Sequence, residues 1–182
     1  MNDLDPNSDP IAATRLWLER AVIGLNLCPF AKAVHVKQQI RYVLSDATTP
    51  EALLEELSEE LLLLRDTPAE QIDTTLIVHP QVLGDFLDYN DFLDNADAAV
   101  DALDLHGIVQ VASFHPHYQF AGTAPDDIGN YTNRAPFPTL HLLREDSVER
   151  AVAAFPDADV IVERNLQTLE TLGLDGWKKL FA

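Results

Sequence analysis

Leu53, Leu54, Leu57, Leu61 and Leu64 recur at the three- and four-residue steps of a helix, and Thr74 to His79 then forms a short apolar run of strand length. Val82, Phe86, Tyr89, Leu93, Ala96, Val100 and Leu103 return to the helical step, and Gly107 introduces a second short run, Ile108 to His115. This change of period, helix to strand and back, limits the chain to few folds. A strand that passes through a helix to another strand of the same sheet crosses over with a right hand and tends to run parallel to the first.

The flanks extend the alternation. Asp9-Pro10 supplies a cap and a first-turn proline, and Ile11, Leu18, Val22 and Leu25 predict a helix over 10–25. Val34, Val36, Ile40, Tyr42 and Leu44 alternate with His35, Lys37, Gln39 and Arg41, which predicts a half-buried strand with a solvated polar face. Thr48 and Glu51 have capping-box spacing around Pro50 at the head of the leucine-striped helix. Thr139 to Arg144 reads as a last strand. Asp146 and Glu149 open a helix with Val148, Val152 and Phe155 inward, and a final helix runs from about Asp159 to a Gly173 cap. The expectation is a single α/β domain over 10–182, a sandwich with a mixed four-stranded sheet and about five helices, behind a disordered acidic tail over 1–9. A ferredoxin-like α+β arrangement is the alternative.

Charge narrows the partners. Twelve Lys and Arg against 30 Asp and Glu give a formal charge of −18, and from Asp66 through Asn133 there is no Lys or Arg at all. Such a surface repels phosphate backbones, so nucleic acid is not expected as a partner. No apolar run is long enough to cross a membrane, and Met1 to Pro10 lacks the basic and apolar regions of a signal peptide, so a cytoplasmic location is expected. The single cysteine, Cys28, allows neither an internal disulfide nor a Cys-rich zinc site. Oligomeric state is not legible.

More than twenty residues separate His115 from Thr139. They are rich in Pro, Asp, Asn and Gly and carry Tyr118, Phe120, Tyr131 and Phe137. Loops of this length within a compact domain are usually functional or disordered, and the aromatics favour an ordered, packed one. If the first three strands are parallel, their C-terminal ends share the edge where ligand sites of open α/β sheets gather. That edge would receive His79-Pro80 and His115-Pro116. Pro116 biases His115 toward an extended conformation, so His115 and His117 can project together. The pair suits a borderline divalent metal such as Zn, with His79, His141, Cys28 or a loop carboxylate such as Asp126 or Asp127 completing the ligand set, or a general acid and base. The competing reading is that these histidines cap strand ends.

Arg134 is the first cation after 68 residues without one. Its guanidinium is either a fork for an anionic substrate or a partner of Asp126 or Asp127. Asn130, Asn133 and Tyr131 beside it could orient that substrate. Cys28, in Asn26-Leu27-Cys28-Pro29-Phe30, is a third candidate: a nucleophile if a short helix begins at Pro29, a small buried hydrophobe otherwise. No nucleotide-binding glycine loop, nucleophile elbow or metalloprotease motif is present.

Longer strings carry a resemblance. Val22-Ile23-Gly24-Leu25-Asn26-Leu27-Cys28-Pro29-Phe30-Ala31, Gln110-Val111-Ala112-Ser113-Phe114-His115-Pro116, Tyr118-Gln119-Phe120-Ala121-Gly122-Thr123, Asn130-Tyr131-Thr132-Asn133-Arg134-Ala135-Pro136 and Pro138-Thr139-Leu140-His141-Leu142-Leu143-Arg144-Glu145 resemble the bacterial family known as domain of unknown function 1415, from about Ile11 to Trp177. The resemblance implies a single-domain cytoplasmic bacterial protein and assigns no role to any residue.

Residue chemistry alone therefore sets the functional expectation: a small-molecule enzyme, hydrolase or group transferase, metal-assisted or not, acting on an anionic substrate. His115, His117 and Cys28 are its candidate catalytic residues, and Arg134, Asn130, Asn133 and Tyr131 its candidate substrate-binding residues. The alternative is a non-catalytic regulatory module that binds a protein or metabolite with the same loop.

Overall fold

The computed structural model describes residues 9–154 and 160–182. Asp9 caps the first helix through its carboxylate, which accepts from the Ile11 and Ala12 amides at 3.0 and 3.3 Å. Helix α1 (Pro10–Trp17) runs straight into a π-helical turn, Leu18–Ile23, so the predicted 10–25 helix is continuous but changes pitch. Gly24 closes that turn. A Cβ on Gly24 would collide with the Arg20 carbonyl oxygen, which is why this position carries no side chain.

The strand predicted to begin at Val34 is a correction. Helix α2 occupies Ala31–Val36, and strand β1 is only Ile40–Leu44. Ala31, Lys32 and Ala33 are good helix formers, and Gln38 then turns the chain with a φ of 58°. The alternation of Val34 and Val36 was coincidental, and Val36 is 70% exposed. Arg41, partly exposed on the polar face, is also paired: its guanidinium binds the Glu60 carboxylate with both arms, at 2.7 and 2.8 Å.

Helix α3 (Pro50–Asp66) is capped by Thr49, one residue later than the capping box predicted. It leads to β2 (Thr74–Val78), buried at every position. Helix α4 (Phe86–Ala102) starts at an Asp85 cap, leaving Val82 buried in the loop before it, and is followed by β3 (Val109–Phe114). After the long loop come β4 (Thr139–Arg144), α5 (Glu145–Ala153) and α6 (Val160–Lys179), which breaks at Gly173 with a φ of 65°. Val152 on α5 is 45% exposed, against the inward expectation. The disordered tail (apart from Asp9), Phe155 and the Asp159 helix start lie outside the described residues.

The sheet is mixed, in the order β1-β2-β4-β3. β1 and β2 pair parallel, and β4 lies antiparallel between β2 and β3. The β1–α3–β2 crossover is thus direct, while β2–α4–β3 is split by β4, the one trait shared with the ferredoxin-like alternative. Helices α3 and α4 cover one face through Leu53, Leu57, Leu61, Tyr89, Phe92, Ile77, Leu140 and Leu142. The other face packs Trp17, Val22, Tyr131, Leu169 and Trp177 around Phe114 and Tyr42. The protein is a single α/β domain with six α-helices among the described residues. In this topology β1, β2 and β3 end, and β4 begins, on the same edge, so the 115–138 connection is held over that edge.

Candidate functional site

Two histidines leave the sheet at this edge. His79 follows β2 and its amide donates to the Pro138 carbonyl at 3.0 Å; His115 follows β3 and donates to the Asn133 carbonyl at 3.2 Å. Both are fully buried. The Tyr89 ring of α4 lies between them, 5.7 Å from His79 and 5.0 Å from His115, and its hydroxyl donates to the Thr139 carbonyl at 2.8 Å. The sequence stripe placed Tyr89 inward without marking it as the divider of a histidine pair.

The hydrogen bonds define what these rings do. His79 Nδ1 donates to the Val82 carbonyl at 3.0 Å, and its Nε2 is buried with no partner. His115 Nδ1 accepts from the His117 amide at 3.0 Å, so its proton sits on Nε2, which donates to the Leu83 carbonyl at 3.2 Å. Adjacent carbonyls of one loop therefore each receive an imidazole. Leu83 stands at a φ of 57°, an uncommon backbone for a branched side chain, and the two histidine bonds hold it there. Burial pushes both imidazoles down to about 4, so both are neutral at pH 7. The histidines thus fix the β2–α4 loop and, with it, the first turn of α4.

That first turn forms one wall of a cavity of about 390 Å³, lined by Gly84, Asp85, Phe86, Leu87, His117, Gln119, Pro125 and Arg134. Small-molecule pockets are commonly of this size. His117 is exposed and reaches the cavity, whereas His115 lies behind it, its ring 5.4 Å from Phe86 and 5.9 Å from His117. A second cavity of the same size lies at the opposite end of the sheet, lined by Asp97, Asp101, Glu145 and His106 among others. Its carboxylates repel an anion.

Arg134 is 8% exposed. Its Nε donates to the Tyr118 carbonyl at 3.1 Å and one terminal nitrogen to the Pro125 carbonyl at 2.6 Å, and the guanidinium lies 4.4 Å from the centre of the Tyr131 ring. No carboxylate lies within 4.0 Å of it among the described residues. The Asp126 or Asp127 salt bridge entertained from the sequence does not form; Asp127 instead caps the short 3-10 turn Ile128–Thr132 through the Gly129 amide. Arg134 therefore ties two points of the loop together, and its remaining terminal nitrogen has no hydrogen-bond partner among the described residues.

The neighbouring polar groups are spent on the loop itself. Asn130 is fully buried; its carbonyl oxygen accepts from the Phe120 amide and the Thr123 hydroxyl, and its amide donates to Ala124. Asn133 donates to the Ser113 carbonyl and accepts from Thr132. Tyr131 packs edge-on to Trp177, 5.1 Å away. None of the three lines the cavity. Cys28 is half-buried just ahead of α2, which begins at Ala31 rather than Pro29; it packs against the cluster around Trp17 and Tyr131 and lines neither cavity.

The four histidines do not form one ligand set. His141 projects from β4 on the opposite face, where its Nε2 lies 2.8 Å from the Thr74 hydroxyl and Phe114 packs against it. His115 has both nitrogens engaged and His79 has one. Among the described residues no three His, Cys, Asp or Glu side chains converge as a metal site would need. The same arrangement shows what the sequence did not reveal: Gln119, Asp85 and Phe86 as cavity residues. Asp85 was visible only as one aspartate of many, although an acidic cap directly after His79-Pro80 and Gly84 was the available signal.

The matched region covers the whole of this edge and both helical layers, since the family model of a protein of unknown function, DUF1415, aligns with residues 9–179. The chain belongs to the DUF1415 family. No curated protein and no solved structure matches it. Within this DUF1415 chain, the strings Tyr118 to Thr123 and Asn130 to Pro136 each supply a cavity residue, Gln119 and Arg134. No helix among the described residues is long and apolar enough to cross a membrane.

Proposed function

We propose that this protein is a small-molecule enzyme, a hydrolase or group transferase, that takes an anionic substrate into the cavity between the first turn of α4 and the 115–138 loop. The observation that carries the reading is Arg134: a buried guanidinium, without a carboxylate within 4.0 Å among the described residues, on the wall of a cavity that also contains His117. A buried charge without a counter-ion is costly, and an anionic ligand offsets that cost with charge-assisted hydrogen bonds. Arg134 would hold the anionic group and Gln119 would orient it. His117, an imidazole open to the cavity, would exchange the proton as the general acid or base. His115 and His79 would act as positioning residues, since each shapes the loop and neither touches the cavity. Metal assistance is left out of the reading because His115 has both nitrogens engaged and no three ligating side chains converge among the described residues. A bacterial cytoplasm is the setting proposed with it, in keeping with a single cysteine.

Thermal melting against a panel of carboxylates and phosphate monoesters tests the binding step. A ligand present at about a hundred times its dissociation constant stabilises the fold by about 2.7 kcal/mol. At least one anion is expected to raise the melting temperature of the wild type and to lose that effect in Arg134→Gln. No shift with any anion overturns the reading. Turnover then separates enzyme from regulatory module: His117→Asn is expected to bind the same anion and to lose activity, whereas a wild type that binds and never turns over its ligands favours the module.

A further inference from the structure

The cavity carries a second charge, and it is opposite to the first. Asp85 lines the same wall as Phe86 and Leu87, and faces a cavity whose only permanent cation among the described residues is Arg134. One carboxylate oxygen of Asp85 is occupied as the helix cap, accepting from the Leu87 amide at 2.8 Å and the Asp88 amide at 3.2 Å. The other oxygen makes no hydrogen bond among the described residues. Arg134 and Asp85 do not pair with each other within 4.0 Å. A simple anion bound to Arg134 would therefore sit in the field of an unneutralised carboxylate, while a ligand bearing both charges satisfies each wall.

Beside the two charges and the polar His117 and Gln119, the lining includes the apolar Phe86, Leu87 and Pro125, with Leu87 70% exposed. An exposed leucine beside a cavity gains most from covering by another apolar group. We infer that the ligand is an amphipathic zwitterion, of the type of an α-amino acid with an apolar side chain, its carboxylate on Arg134, its ammonium on Asp85 and its hydrocarbon against Phe86, Leu87 and Pro125. This inference rests on the proposed anion site and names the chemical class that site would select.

Titration calorimetry on the full chain with matched probes tests it: leucine and phenylalanine, their deaminated acids 4-methylpentanoate and 3-phenylpropanoate, and the corresponding amines without a carboxylate. The zwitterions are expected to bind at least about tenfold tighter than the acids, a difference worth about 1.4 kcal/mol. Asp85→Asn is expected to erase that preference, weakening the zwitterions and relieving the repulsion on the acids, which then bind at least as tightly as they do to the wild type. Asn is as good a helix cap as Asp, so the variant keeps α4 intact, and Asp85→Ser provides a second neutral cap. Acids that bind as well as the zwitterions overturn the inference and leave the anion site standing, as does a zwitterion preference that survives in both Asp85 variants. Amines that bind as well as the zwitterions, or a full panel without binding, overturn both.

Discussion

At the scale of single residues, His79 and His115 behave as neutral hydrogen-bonding groups. Protonation is unfavourable at each: a charged His79 would bury a second N–H, on Nε2, without an acceptor, and a charged His115 would carry a proton on Nδ1 and could no longer accept from the His117 amide. The folded state keeps both imidazoles neutral to about pH 4, whereas an unfolded chain protonates them near 6.5. The folded state therefore binds fewer protons in this range. The contribution of each histidine is complete above about pH 6.5 and is lost as pH falls toward 4, with a slope of up to about 1.4 kcal/mol per pH unit. Comparing His79→Gln with the wild type cancels the titration of the many carboxylates. Guanidinium unfolding at pH 7 and at about pH 4.5 is expected to show a gap between the two proteins that narrows in acid; a constant gap would refute the neutral buried imidazole. Tyr89→Phe removes the hydrogen bond to the Thr139 carbonyl, which also faces the β3 ladder at Phe114, and is expected to cost about 0.5–1.5 kcal/mol in the same assay. Of these roles the sequence displayed the convergence of His79 and His115, because each ends a strand before a proline. It did not display which loop groups would be consumed internally. Asn130 looked like a ligand-binding amide because its three partners, Phe120, Thr123 and Ala124, come from six to ten residues away through a turn with no period of its own.

Among the elements, local chemistry explains both the agreements and the misses. β4 occupies Thr139–Arg144 as predicted, since an apolar run bounded by Pro138 and by the acidic start of α5 has few other options. The strand expected at Val34 does not form because period-two alternation over four residues is also compatible with one helical turn, and the positive φ at Gln38 has no signature in a glutamine. The π-helical turn Leu18–Ile23 was equally invisible, as its apolar residues satisfy the ordinary helical step. Gly24 is the testable part of that turn: Gly24→Ala places a methyl against the Arg20 backbone and is expected to destabilise the protein by about 1–3 kcal/mol by chemical denaturation. A neutral result would mean that the turn relaxes to an ordinary α-helix. At α4 the N-terminal cap offers a contrast of its own. Asp85→Ala is expected to cost about 1 kcal/mol, while Asp85→Asn stays near the wild type.

For the whole molecule, topology turns separate sequence segments into one edge. Because β4 returns antiparallel between β2 and β3, the ends of three strands and the start of the fourth lie together, and the longest connection must pass over them. The cavity follows from that geometry and from the histidine-held loop before α4. The same molecule carries a formal charge of −18, spread over helices α3 and α4 among others. Repulsion within a compact state of such charge is relieved by salt, so the melting temperature is expected to rise as sodium chloride increases toward about 1 M, where the screening length falls to about 3 Å. Arg134 sits within this negative field as a buried cation, which concentrates the available positive potential in one place. Proton–nitrogen NMR of the arginine side chains during titration with leucine, and separately with 4-methylpentanoate, reads that place directly. The Arg134 Nε resonance and the Gln119 side-chain amide are expected to shift together and saturably, with the His117 ring following, whereas shifts that, with leucine and with 4-methylpentanoate alike, are absent, unsaturable or confined to other arginines would contradict an anion site at Arg134.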